Sequence, residues 1–411
     1  MVQGEWFRVG MGAKVLFVTS ERSSLQESRT RQTRHISIIS RSRAIHRIQW
    51  SRPDIGQSEI SEVLRVMRTG WLSQGRVTEQ FEQRLAEYSG AKHAIAVNNG
   101  SSALLCALMA HGAGPGDRVI VSDYTHVATG NVPRLLGCRV SLVDINPSTF
   151  NADYDALEKA IKRHRPKFVV IVDVAGLPND MDRLPELAGE HGFTLIEDAA
   201  ESIGAEYQHH KVGSFGHTTT LSFHAAKQLT TIEGGAVLTS DAQVASRCRL
   251  LRNHGEPVGR KYVSLMVGMN LRTTDLQSAL GLIQLRKLDH YILRRNEIAM
   301  CYRQRLPSLF RFQVVPKCVT RHAYMMFIAV ARSRATRDKL KRHLERHGIE
   351  TRTPWPPLHQ QPRFRAKNTK FPESTRLFAK SISLPLHNAM RESEVEEVIS
   401  EVLSFASRSK T

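Results

Sequence analysis

An alternation restricts this chain more than any other feature of its sequence. From Ile48 to about residue 290, short apolar runs of strand length alternate with helical stretches, with glycine turns between them. The run "HAIAVNNGSSALLCALMAHGAGPGDRVIVSDYTHVATGNVPRLLGCRVSLVDI" reads strand, turn, helix, turn, strand, helix, strand. "KFVVIVDV" and "FTLIEDAA" are further apolar strands, each preceded by a helical stretch. Strands without a polar face, joined through helices, are expected in a mostly parallel sheet covered on both sides. After about residue 290 the texture changes. A long charged helix, "LRKLDHYILRRNEIAMCYRQRL", leads to "AYMMFIAVA", a helix "RDKLKRHLERHG", a proline-rich loop and a last helix "SEVEEVISEVLSFA". The expected organisation is therefore a large α/β domain over residues 47–290 and a smaller α+β domain over 291–411. Residues 1–46 are rich in Arg and Ser without a steady period, which reads as a disordered basic extension. A transit peptide or a misplaced start codon are the other readings of that segment.

Ligands of open parallel sheets sit beyond the carboxyl ends of the strands, so the reactive groups found there carry the functional argument. In "VNNGSSALLCAL" a strand ends, a glycine follows and two hydroxyls open a helix. Gly100, Ser101 and Ser102 form either an anion seat at a helix N-terminus or plain helix capping. In "VSDYTHVATGN" His126 follows a strand, as a ring to stack or titrate, or as a structural histidine. In "LIEDAAES" Asp198 follows an apolar strand, with Glu201 three residues on. An acid there needs a cationic partner or serves as an N-cap. Finally, "TTTLSFHAAKQLTTIEGGAVLTS" sets Lys227 between two β-rich runs, after Ser222 and before a glycine pair. It is either a loop lysine at the surface or an amine poised to attack a carbonyl.

The four signals specify one ligand when read together. A phosphate cradle (Gly100, Ser101, Ser102, Ser222), a flat cover (His126), a carboxylate for a pyridinium nitrogen (Asp198) and an amine for an aldehyde (Lys227) fit pyridoxal 5′-phosphate. The charge balance adds to this. With 58 Lys+Arg against 39 Asp+Glu the net charge is +19, which suits anionic partners. No helix-turn-helix, zinc-finger or RNP pattern accompanies it, so nucleic acid is not expected. Five scattered cysteines with no CxxC suggest a reduced cytoplasmic protein without disulfides or metal. No apolar run approaches the ~20 residues of a membrane span.

At this point the sequence resembles the DegT/DnrJ/EryC1/StrS sugar aminotransferases over about residues 48–405. The resemblance rests on ordered blocks such as "GWLSQGRVTEQFE", "NNGSSAL", "GAGPGDRVIV", "YTHVATGN", "VDINPSTFNAD", "IEDAAESIGAEY", "LSFHAAKQLTTIEGGAVLTS", "NLRTTDLQSALGLIQLRKLD", "PPLHQQP" and "SLPLH". It implies the fold-type-I architecture of enzymes that use pyridoxal phosphate, and a homodimer with shared active sites. Lys227 falls on the family's Schiff-base lysine and Asp198 on the partner of the ring nitrogen. Ala200 falls on the small residue against one ring face, and His126 on the usually aromatic cover of the other. Ser101, Ser102 and Ser222 fall on phosphate-binding positions, and Glu201 on a position near the ring hydroxyl. Asn270 and Arg272 match a segment that reaches the neighbouring subunit's cofactor.

The sequence departs from the family's "HLYGxPADMD" in "DVAGLPNDMD", where Asp173, Ala175 and Leu177 replace His, Tyr and a polar residue. Retention of the lysine favours transamination over the dehydration carried out by relatives with histidine there. The expected reaction moves an amino group from L-glutamate to a nucleotide-linked keto sugar. "SDYTHVATGN" and "EDAAES" lean toward the perosamine-synthase branch, which aminates a 4-keto-6-deoxyhexose. A sugar dehydratase and a ketocyclitol aminotransferase remain the alternatives.

Overall fold

The structure is a computed structural model. It describes residues 4–9, 13–18, 47–257, 259–260, 262–306, 310–365 and 370–408. Two units separate, Met1–Ala44 and Ile45–Thr411. In the first, β1 (Gly4–Val9) and β2 (Ala13–Val18) pair antiparallel, Gly4 against Val18 and Val9 against Ala13. The sequence reading gave these residues no regular structure. "GEWFRV" and "AKVLFV", rich in aromatic and β-branched residues, are of strand-forming composition. The remainder of the expected disordered extension lies outside the described residues.

In the second unit, α1 (Gln57–Thr69) and α2 (Arg76–Ser89) precede the main sheet. Its strands and helices then alternate as β3 (His93–Val97), α3 (Gly100–Ala110), β4 (Arg118–Ser122), α4 (Val127–Leu135), β5 (Arg139–Val143), α5 (Tyr154–His164), β6 (Phe168–Val172), α6 (Arg183–His191) and β7 (Thr194–Asp198). Short β8 (Glu206–Tyr207) and β9 (His210–Lys211) follow, then β10 (Thr218–Ser222), β11 (Gly235–Thr239) and α7 (Ala242–Leu251). The seven-stranded sheet runs β3-β11-β10-β7-β6-β4-β5. Only β11 runs against its neighbours; β10, β7, β6, β4 and β5 are mutually parallel. Every residue of β6 and of β11 is buried, the continuous burial of a sheet covered on both faces. One covering layer packs α3 and α7 on Ile95, Val119, Val170 and Val237. The other face of the β6 end packs Leu157, Ile161 and Leu184 on Val169 and Ile171.

The 31-residue α8 (Asp275–Arg305) begins with a capping box in which Thr274 and Gln277 bond reciprocally. It runs through position 290, so no linker separates the two expected domains there. The smaller portion holds β12 (Phe310–Phe312), β13 (Val319–Arg321), β14 (Phe327–Ala331), α9 (Arg334–Arg346), α10 (Pro372–Lys380), β15 (Ser381–Leu384) and α11 (Glu392–Arg408). Strands β12, β14 and β15 form an antiparallel sheet packed with α9 and α11 through Phe327, Leu340, Leu344, Ile382, Val398 and Val402. Ile48 belongs to that core and bridges to Ile349. Trp50 Nε1 donates to Ser383 Oγ at 2.8 Å. The residues at the expected start of the large domain thus pack on the small one, because apolar Ile48 finds its burial there.

Candidate active site

The carboxyl ends of β3, β4, β7 and β10 open on one cavity of about 590 Å³. Since β11 runs the other way, its first residue, Gly235, lies at the same end, opposite Val97 and Ser222. Gly100 begins α3 in this corner. A Cβ on Gly100 would come within 2.9 Å of Ser222 Cβ, and one on Gly235 within 2.5 Å of the Asn99 carbonyl oxygen. Only glycines therefore allow β3, β11 and the α3 N-terminus to close into a cradle. Asn99 caps α3 by accepting the Ser102 N–H at 2.9 Å. Capping thus falls to Asn99, with Ser102 as its buried donor, while Gly100, Ser101 and Ser222 line the cavity. That corner presents unused helix N–H groups and hydroxyls, the chemistry of an anion seat.

Asp198 closes β7 and is 4% exposed. Thr129 Oγ1 donates to its Oδ2 at 2.7 Å and the Ala200 N–H to its Oδ1 at 3.3 Å. Burial nevertheless raises its pKa; the hydrogen bonds and the nearby Lys227 and His126 only partly offset this. A cation placed against it in the cavity would restore the charged form. Lys227 sits in the β10–β11 connection, its N–H bonded to the His224 carbonyl at 2.9 Å. Its Nζ lies 3.4 Å from Glu201 Oε1. Glu201 is buried and its pKa is raised by burial, with Lys227 pulling the other way. Its Oε2 accepts the Ala175 N–H at 2.9 Å, and its carbonyl accepts Gln228 Nε2. Gly176, φ +93°, allows this approach, since a Cβ there would lie 2.7 Å from the Glu201 carbonyl oxygen.

His126 is the N-cap of α4. Its Nδ1 accepts the Ala128 N–H at 3.2 Å, so Nδ1 carries no proton. Burial, reinforced by Lys227, lowers its pKa. A neutral ring thus edges the cavity, 6.3 Å from Trp355 and nearly perpendicular to it. The structural reading of this histidine therefore applies, and the same cap fixes the ring at the edge of the cavity.

Of the residues expected from sequence, Gly100, Ser101, His126, Asp198, Ala200, Glu201, Ser222 and Lys227 line this one cavity, and Ser102 stands just behind it. Asn270 and Arg272 do not line it. Asn270 is exposed and bridges to Asn253, and Arg272 donates to Asn253 Oδ1 at 2.7 Å. The sequence reading missed Thr129, Trp50, Met325, Met326 and Trp355. Thr129 was legible as a hydroxyl one turn into the helix after "SDYTH". The others come from segments far along the chain.

The departure at Asp173 also has a structural role. It is fully buried at the end of β6, where Ser202 Oγ donates at 2.6 Å and Asn179 Nδ2 at 2.7 Å. Burial, and then the neighbouring Glu197, push its pKa well up.

A model of the DegT/DnrJ/EryC1/StrS aminotransferase family matches residues 53–403. The chain belongs to this family. It is 38% identical over 361 residues to GDP-perosamine synthase of Caulobacter vibrioides, covering 86% of this chain and 96% of that one. Among solved structures, S. venezuelae DesV in complex with a ketimine intermediate superposes with a TM-score of 0.80 at 32% identity, over 85% of this chain and 94% of that one. The PLP-form of the sugar aminotransferase Spr1654 from Streptococcus pneumoniae superposes with a TM-score of 0.82 at 27% identity, over 87% and 98%. The protein is an α/β aminotransferase of the sugar-modifying kind, and its family consists of pyridoxal phosphate enzymes.

Proposed function

We propose that this chain binds pyridoxal phosphate through Lys227 and moves an amino group from L-glutamate to a nucleotide-linked 4-keto-6-deoxyhexose. One observation carries the reading: a lysine amine and a buried, only partly compensated aspartate face one cavity that also has a glycine-hydroxyl corner. The bound cofactor supplies an electron sink for the charge that develops when the donor's Cα–H bond breaks. Everything else is work for the chain. Asp198, held by Thr129, keeps a proton on the ring nitrogen. Gly100, Ser101 and Ser222 seat the phosphate. Ala200 and His126 bound the two ring faces. Lys227 would anchor the cofactor through its amine, and its Nζ would hold and move the proton that leaves Cα, a role typically worth 10²–10⁴-fold. Glu201, 3.4 Å away, keeps that amine near its station.

The substrate side supports a deoxy sugar. Trp50, Met325, Met326 and Trp355 give it an apolar wall, suited to a methyl group more than to a hydroxymethyl. The similarity to GDP-perosamine synthase points the same way. We further propose a cytoplasmic homodimer. Exposed Trp71, Leu72, Leu265 and Val267 are apolar surface that a second copy would cover, and Asn270 and Arg272 would serve the partner's site. Among the described residues no helix is long and apolar enough to cross a membrane.

Borohydride reduction of the cofactor-loaded protein, followed by peptide mapping, tests the assignment. The cofactor mass is expected on Lys227, and its glutamate-dependent loss should accompany 2-oxoglutarate release. Labelling elsewhere, or none, overturns it.

A further inference from the structure

Away from this cavity, α9 and α11 bring together three side chains that the reaction does not use. His343 lies in the last turn of α9 and His347 is its C-cap, so both project on one side at helical spacing. Glu401 comes from α11. One donor atom from each of the three lies within 4.8 Å of the others. His343 Nε2 is 3.0 Å from Glu401 Oε2, and His347 Nε2 is 3.6 Å from the same oxygen. Zinc bound tetrahedrally at the usual ligand lengths would hold its donors roughly 3.3 Å apart. Each histidine therefore already stands at ligand spacing from Glu401, with all three donors within 4.8 Å of one another.

The tautomer of His347 is a second, independent observation. Its Nδ1 lies 2.8 Å from the His343 carbonyl oxygen. A carbonyl only accepts, so Nδ1 carries the proton. In the neutral ring the Nε2 lone pair then faces a carboxylate oxygen. Two electron-rich atoms aimed at each other need a cation between them. A backbone carbonyl holding the far nitrogen of a ligating histidine is also the usual outer support of a metal site. The setting limits which cation would serve. Phe405 packs on the His343 ring at 5.7 Å, while His347 is half-open to solvent. That leaves three protein donors and one open position.

We propose that His343, His347 and Glu401 form a site for a divalent transition ion of zinc-like preference, clasping α9 to α11. Two imidazoles and one carboxylate favour Zn²⁺ or Co²⁺ over Mg²⁺ or Ca²⁺, which prefer all-oxygen shells. On binding, the His343 imidazole gives up its Nε2 bonds to Glu401 and takes its other tautomer. The sequence carried no sign of this, because the ligands form no cysteine motif and Glu401 lies 54 residues beyond His347.

The test uses the full, cofactor-loaded chain after chelator treatment, titrated with Zn²⁺ alone against a chromophoric chelator. One ion per chain is expected, with a raised thermal midpoint. Co²⁺ in its place should give the intense visible bands of a tetrahedral site. His347→Ala should weaken Zn²⁺ affinity about 100-fold and Glu401→Gln about tenfold, and transaminase rates should be unaffected. Failure to take up zinc would overturn the site. Uptake indifferent to both substitutions would overturn it equally.

Discussion

The two walls of the active-site cavity are built differently. The wall assigned to the cofactor consists of strand ends. Asp198 closes β7, Ser222 closes β10, Gly100 follows β3 and Lys227 follows β10 by five residues. Backbone pairing fixes their spacing: Val97, Gly235 and Ser222 are successive register partners. The opposite wall is borrowed. Trp50 comes from the segment just before α1, Met325 and Met326 from the run into β14, and Trp355 from a loop. These are held by long-range bonds. The Met325 N–H reaches the Ala175 carbonyl at 2.9 Å, and the buried Arg295 binds the Tyr324, Met325 and Leu386 carbonyls within 3.2 Å. A rigid sheet edge suits chemistry that every substrate shares. Loops on a separate core can vary with the substrate.

If that division holds, substitutions on the first wall should damage both half-reactions and those on the second only one. The largest effect is expected at Asp198. Asp198→Asn keeps an acceptor for Thr129 but removes the negative charge, so kcat should fall by about 10²–10³-fold with either substrate. Stability should move oppositely. A carboxyl whose folded pKa is raised contributes stability below its unfolded pKa, and that contribution is lost as pH rises through the folded value. The cofactor-free D198N protein should therefore lack that part of the decline and be no less stable than wild type at neutral pH. Thermal melts across pH check this. A large loss of neutral-pH stability would show that the carboxylate is satisfied by the protein alone.

The same division accounts for what the sequence disclosed. Strand ends are read locally: "LIEDAAES" carries its own burial, acid and helix start, and "SFHAAK" its own turn. Their convergence follows from parallel topology without further information. Trp355 has no such local sign. "TPWPPLH" says only that a rigid loop is present, and its approach to the cavity depends on packing between segments more than 200 residues apart. The expected boundary at 290 falls inside α8, where helical period continues unbroken, so the change of texture downstream is not accompanied by a break in the backbone. Asn270 and Arg272 were visible by resemblance, while the geometry of a single chain leaves them outside the cavity.

The second wall should give an intermediate effect. Trp355→Ala removes an aromatic face beside His126 and Tyr124. KM for the keto sugar should rise about 10–100-fold, while the rate of the glutamate half-reaction changes less than about threefold. Single-turnover measurements of each half-reaction separate the two. Equal damage to both would erase the distinction between the walls.

The smallest effect is expected where the walls are joined. Asp123, wholly buried just after β4, accepts the His359 N–H at 2.8 Å and His359 Nδ1 at 2.6 Å, and its carbonyl accepts the Leu358 N–H at 2.8 Å. Close by, a Cβ on Gly130 of α4 would come within 2.7 Å of the Phe364 ring. The loop carrying Trp355 is thus clamped to the sheet a few residues beyond the tryptophan. His359→Ala leaves the Asp123 carboxylate with a donor missing, at a cost of about 1–3 kcal/mol. Trp355 would then be placed less well, and keto-sugar KM should rise only about two- to fivefold with the glutamate half-reaction unchanged. A merely structural histidine would lower the melting temperature without moving KM. His359→Asn keeps an N–H donor near the Nδ1 position, so it should restore KM toward wild type. Should Asn fail to rescue while Ala and Asn melt alike, the clamp would hold the fold together without setting the distance between the two walls.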